Sequence, residues 1–137
     1  MESLVIDSSI FVSSFLVNEE KHQQAREYIN GLERGDYTFH LPMLANLEVT
    51  SAIRRRATRS WVGLVSTWKL SVSDWERDGL LIMYPLDRDR MERAIAVALE
   101  YGFRAQDSIF TQLAVELDIP IKTFDKEVLE RFPTASE

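Results

Sequence analysis

The chain has no cysteine, and its 137 residues include only two histidines, four prolines and five glycines. Without cysteine, a disulfide scaffold and a thiolate zinc site are both excluded. His22 and His40 are isolated, and neither lies beside an acidic motif, which gives imidazole proton relays no natural place. No apolar run approaches the roughly 18 residues of a membrane helix. Leu4-Val5-Ile6 is too short for a signal-peptide core, and Asp7 interrupts it. The expectation is an intracellular, cytoplasmic protein with no membrane association. Positive charge is scarce as well, with 16 Lys and Arg against 22 Asp and Glu and a net charge of −6. That balance argues against a nucleic-acid coat working by bulk phosphate attraction.

What remains is ordinary globular material, 45% hydrophobic and 28% charged. It is one domain's worth, long enough to bury roughly two-thirds of its unfolded surface. Ser3 to Ile6 reads as a buried strand breaking at Asp7-Ser8-Ser9 into a short helix through Phe11 and Leu16. A helix follows from Lys21 to Arg34, ended by the region from Gly31 to Gly35. Tyr37 to Leu41 is a second strand, with Pro42 suited to the first turn of the next helix, which runs from Met43 to about Arg59. Ser60 to Arg77 is a helix, Leu80 to Tyr84 a strand, and Asp87 to Tyr101 a helix with Met91, Ala94, Ile95, Ala98 and Leu99 inward. A helix from Arg104 through Leu117 and a strand from Ile119 to Phe124 complete the alternation. The expected fold is α/β: a single-domain, three-layer architecture with a central, mostly parallel sheet of four to five strands flanked by helices. Residues 1–132 form the domain and 133–137 a loose polar tail.

Four carboxylates stand out by position. Asp107 falls on the apolar stripe through Phe110, Ala114 and Leu117, at the first turn of its helix. Alone it would pass for a cap or first-turn acid. Glu48 falls on a stripe with Leu44, Leu47, Ser51 and Ala52, read as the inward face. Asp7 ends the first strand and Asp125 ends the last. Ligands of open parallel sheets sit beyond the carboxyl ends of the strands, so these acids can converge on one edge. Carboxylates gathered together repel and raise one another's pKa, and a divalent cation removes that cost. An all-oxygen donor set favours Mg2+ or Mn2+ over zinc or copper, and such a site suits phosphodiester hydrolysis by one or two ions.

Val5-Ile6-Asp7-Ser8-Ser9, Leu47-Glu48-Val49-Thr50-Ser51-Ala52, the run from Asp107 to Ala114, and Thr123-Phe124-Asp125 together resemble the four motifs of the PIN domain family. In small single-domain form that family includes the VapC-type toxins of prokaryotic toxin–antitoxin pairs. The resemblance spans Leu4 to about Phe132. It implies a PIN-like fold and a metal-dependent endoribonuclease held in check by a cognate antitoxin. It makes Asp7, Glu48, Asp107 and Asp125 the catalytic, metal-binding set, with the first three on one ion and Asp125 completing the shell or serving a second. By the same resemblance, Ser9 and Thr123 are small hydroxyls supporting the site. Ile109 and Phe110 are bulkier than the small residues many relatives carry after the third acid.

Arg54, Arg55, Arg56 and Arg59 form the one dense basic cluster, and Arg55 shares roughly the Glu48 face, where it can meet an RNA phosphate. A solvated helix end favoured by the dipole is the plainer use of the cluster, and an acidic partner segment is another. Trp61, Trp68 and Trp75 recur at steps of seven along one helix face. Core packing explains them better than base stacking, and any excess would suit a homodimer or partner surface. Lys122 and Lys126 are expected to be exposed. An inert binding or scaffold module is the alternative function, but such a module has no reason to keep four repelling acids. A receiver-like phospho-acceptor would need an adjacent acid pair, and a HAD-type phosphatase would need a second acid where Ser9 stands.

Overall fold

The computed structural model describes residues 1–58 and 60–137; Arg59, counted above in the basic cluster, lies outside the described residues. Five strands form one sheet in the order β3-β2-β1-β4-β5, with every neighbouring pair parallel. They are β1 (Glu2–Ile6), β2 (Tyr37–Pro42), β3 (Leu81–Tyr84), β4 (Ile121–Lys122) and β5 (Ala135–Ser136). The helices are α1 (Ser8–Phe15), α2 (His22–Glu33), α3 (Leu44–Arg56), α4 (Trp61–Arg77), α5 (Arg88–Tyr101), α6 (Ala105–Leu117) and α7 (Lys126–Arg131).

A parallel sheet needs crossover helices on its faces, so its central strands must be apolar on both sides. β1 meets that demand, because Leu4, Val5 and Ile6 are all fully buried. Trp68 and Trp75 of α4 sit in the core around Phe11, at ring-centroid distances of 5.1 and 6.3 Å. The Trp68 indole N–H donates to Asn46 Oδ1 at 2.8 Å, which satisfies the polar end of a buried ring. Trp61 instead lies at the surface, 38% exposed, with the Arg54 guanidinium 4.6 Å from its ring centroid. Two of the three tryptophans are therefore core.

The fold corrects several sequence expectations. Pro42 ends β2 rather than opening α3, and its strand register continues to Tyr84. α2 runs through Gly31, where a Cβ would come within 2.5 Å of the Tyr37 ring, and stops before Gly35, which takes a left-handed φ of 83°. On α5 the buried residues are Ala94 and Val97, while Met91, Ile95 and Leu99 are exposed. The last residues are not loose: β5 extends the sheet beside β4, and the Ser136 carbonyl accepts from the Thr123 N–H at 3.0 Å.

The face of α3 is the correction that matters for the site. Its core residues are Ala45, Val49 and Ile53. Leu47 is 67% exposed, and the stripe of Leu44, Leu47, Glu48, Ser51 and Ala52 lines an open cleft instead.

Candidate active site

That cleft, about 660 Å³, lies at the carboxyl ends of β1 and β4 and is walled by α1, α3 and α6. Asp7, Glu48, Asp107 and Asp125 all line it, together with Ser9, Arg55, Arg56, Arg104, Gln106 and Phe124. Residues far apart in the chain meet here because β1 and β4 are adjacent, so the turns that follow them open side by side.

Asp7 occupies the N-cap position of α1 but makes no capping bond. Its Oδ2 accepts from the Ser9 hydroxyl at 2.7 Å and from the buried Thr123 hydroxyl at 3.0 Å. Thr123 is held in turn by the Asp125 N–H, which donates to its Oγ1 at 3.0 Å. Ser9 and Thr123 thus position Asp7 through a single oxygen, Oδ2.

Asp107 is 6% exposed at the first turn of α6, where the helix end is flanked by Arg104 at the N-cap. Its carboxylate does not cap the helix; Oδ2 accepts from Arg104 Nε at 3.0 Å. The same guanidinium reaches across to Asp125, where Nη2 donates to Oδ2 at 2.6 Å. Asp125 does cap a helix, since its Oδ1 accepts from the Val128 N–H at 3.2 Å. Glu48 Oε1 accepts from the Ser8 hydroxyl at 3.2 Å.

Burial in this acidic setting shifts the titrations upward. Burial pushes the Asp7 carboxyl above its usual range, opposed by the Ser9 and Thr123 hydroxyls and aided by the Asp125 charge. Glu48 is pushed up to about 7, by burial first and by the Asp7 charge second. Asp107 is also raised by burial, although the Arg104 bond pulls the other way. An ion pair at an exposed guanidinium does not offset the desolvation of the acid it touches.

Three carboxyl oxygens, from Asp107, Asp125 and Glu127, lie within 4.8 Å of one another. This tight group includes Glu127 and shares Asp107 with the expected first-ion set of Asp7, Glu48 and Asp107, all three of which line the same cleft. Hard, all-oxygen donors at this spacing fit a divalent cation of the Mg2+ or Mn2+ kind. Sequence reasoning missed Glu127 and Arg104. A first-turn glutamate and an N-cap arginine look like ordinary solvated ends, and only the meeting of the α6 and α7 N-termini through Arg104 and Asp125 brings them beside the acids.

Arg55 and Arg56 line the cleft, and Arg56 also pairs with Glu19 at 3.4 Å. Ile109 and Phe110 are buried. The histidines stand apart: His22 Nδ1 lies 2.7 Å from the Ser13 carbonyl, and His40 Nδ1 2.8 Å from the Tyr84 hydroxyl. Lys122 donates to Ser136 Oγ at 2.7 Å rather than standing free.

Known proteins resemble the chain in sequence and in fold. Ribonuclease VapC3 of Pyrobaculum aerophilum is 25% identical over 130 residues, which span 95% of either chain. A toxin–antitoxin complex from Klebsiella pneumoniae superposes with a TM-score of 0.70 at 16% identity, covering 98% of this chain and 96% of that one. The sarcin–ricin-loop-cleaving toxin VapC20 of Mycobacterium tuberculosis gives 0.71 at 12% identity, covering 93% of each chain. At those identities the two structures establish the fold. The PIN domain model matches residues 4–134, and the chain belongs to the PIN domain family.

Proposed function

We propose that the protein is a metal-dependent endoribonuclease that hydrolyses RNA phosphodiester bonds, and that it is the toxin of a type II toxin–antitoxin pair. The observation carrying this reading is the convergence of Asp7, Glu48, Asp107 and Asp125, from four segments, on one cleft where burial disfavours the charge of Asp7, Glu48 and Asp107. A cation compensates that arrangement, and one or two Mg2+ or Mn2+ ions are the cofactor we assign. Asp107, Asp125 and Glu127 would hold one ion, with Asp7 and Glu48 lining the same cleft. A bound divalent ion supplies charge neutralisation at the phosphate and acidifies a nearby water.

The chain's own groups do the rest. Ser9 and Thr123 hold Asp7 in one orientation, which limits the reorganisation needed when substrate arrives. Glu48, pushed up to about 7 in the ion-free protein by burial and the Asp7 charge, would be held deprotonated by a bound cation and so able to accept a proton from an attacking water. Arg55 and Arg56 at the rim suit flanking phosphates. Relatives are a named ribonuclease and toxin–antitoxin assemblies, which supports RNA as substrate and an antitoxin as protein partner. A homodimer is the assembly we expect, supported by the exposed Met91, Ile95 and Leu99 stripe of α5. Cytoplasmic action fits an RNA substrate, and among the described residues no helix is long and apolar enough to cross a membrane.

The test is incubation of the purified protein with bulk cellular RNA and Mn2+, followed by mapping of new RNA ends. Wild type should cleave at defined positions, while Asp7→Asn and Asp107→Asn, folded by their melting curves, should not. Turnover by both variants would sink the assignment and bring forward the inert binding module.

A further inference from the structure

Resting on the metal-dependent reading above, we propose that Arg104 is an internal competitor for the cation site: its guanidinium holds Asp107 and Asp125 together in the ion-free protein and must leave for the ion to bind. The fork makes one bond to each acid, Nε to Asp107 Oδ2 at 3.0 Å and Nη2 to Asp125 Oδ2 at 2.6 Å. These two acids also belong to the tight three-carboxylate group. Asp125 already gives its other oxygen to the α7 cap, and the oxygen outside that cap is the one Arg104 holds. A cation and the guanidinium therefore contend for one atom.

Departure of the arginine is physically easy. Its side chain is 62% exposed, so released donors return to water, while the covered carboxylates of Asp107 and Asp125 would pass from the guanidinium to the ion and not be left unpaired. It stands at the N-cap, where the backbone is extended with ψ of 163° and the carbonyl accepts the Ser108 N–H at 3.0 Å as the first rung of α6, a bond that does not involve the guanidinium. Nothing in the helix has to unwind for the side chain to swing. By contrast Arg55 lines the same cleft but makes no bond to the four acids among the described residues. The two arginines carry equal charge and differ in whether they occupy the acid oxygens.

That difference sets the experiment. Isothermal titration with Mn2+ alone, on full-length wild type, Arg104→Gln, Arg55→Gln and Asp107→Asn, separates direct competition from general electrostatics. Arg104→Gln should bind Mn2+ about fivefold tighter or more, since displacement of two bonds no longer opposes binding. Arg55→Gln should shift the affinity less than about twofold, because it removes only screened charge. Arg104→Lys should fall between wild type and Arg104→Gln, because one ammonium cannot fork between both acids. Equal tightening in Arg104→Gln and Arg55→Gln would overturn the proposal in favour of through-space charge. Unchanged or weaker binding in Arg104→Gln would overturn it in favour of a structural role. If Asp107→Asn abolishes binding while Arg104→Gln matches wild type, only the competition idea falls. If no protein in the series binds Mn2+, the metal reading beneath it falls as well.

Discussion

Asp7 and Asp125 are both aspartates at the N-cap position of a helix, yet their surroundings give them different work. Asp125 caps α7 through the Val128 N–H, whereas Asp7 leaves α1 uncapped and takes the Ser9 and Thr123 hydroxyls. Thr123 links the two, donating to one and accepting from the N–H of the other. Replacing it with valine keeps the shape and strands both partners in a buried setting. Thr123→Val should therefore cost about 1–3 kcal/mol, read as a lower urea midpoint, while Thr123→Ser should recover most of it. Glu48 gives the pH dependence. Its folded pKa of about 7 exceeds the model-compound 4.5, so between those values the folded state binds more protons than the unfolded chain. Its contribution is then largest at low pH and is lost as pH rises through 7. In chelator, the melting temperature should fall from pH 5 to pH 8 more steeply in wild type than in Glu48→Gln. A steeper fall in the variant would reverse the sign. Saturating Mn2+ should flatten the wild-type curve, because the ion favours deprotonated ligands.

At the scale of elements, periodicity located most helices and strands but not always their faces. The stripe holding Glu48 on α3 was legible; its destination was not. Leu44, Leu47 and Ala52 line the cleft while Ala45, Val49 and Ile53 meet the core, and an apolar cleft wall has the same 3.6-residue period as a core face. α5 has apolar residues around much of its surface, and small Ala94 and Val97 pack inward while larger Met91, Ile95 and Leu99 stay outside. β5 escaped notice because two residues give no alternation to read. Its backbone nevertheless receives the Thr123 N–H, and Glu137 beside it pairs with Lys21. Removal of residues 135–137 should lower the melting temperature and weaken Mn2+ binding, since Thr123 orients Asp7. Unchanged binding in the truncated chain would show that β5 is dispensable to the site. The tryptophans of α4 divide similarly: Trp68→Ala should cost about 3–5 kcal/mol in urea unfolding as a core truncation. Trp61→Ala should cost about 1 kcal/mol or less, mainly its contact with Arg54.

For the molecule as a whole, topology turns scattered motifs into a site. Strand order places β1 between β2 and β4, so the acids after β1 and β4 become neighbours although more than a hundred residues separate Asp7 from Asp125. The α/β class and the four acids were legible because a carboxylate on an apolar stripe, or at the end of a buried strand, violates the pattern around it. Arg104 and Glu127 were not, because charged residues at helix starts violate nothing locally. Their placement depends on the contact between the two N-cap residues, Arg104 and Asp125, which no local pattern encodes.

The most direct measurement on this site needs no substrate: a melting titration of wild type and Asp107→Asn with Mn2+. An ion binding only the folded state stabilises it by roughly 2.7 kcal/mol at a hundredfold excess over its Kd. For a chain of this size that corresponds to a rise on the order of 10 °C. The expected result is that rise in wild type and little or none in Asp107→Asn. A wild type that fails to respond, or a variant that responds equally, would contradict the assembly of these acids as a cation site.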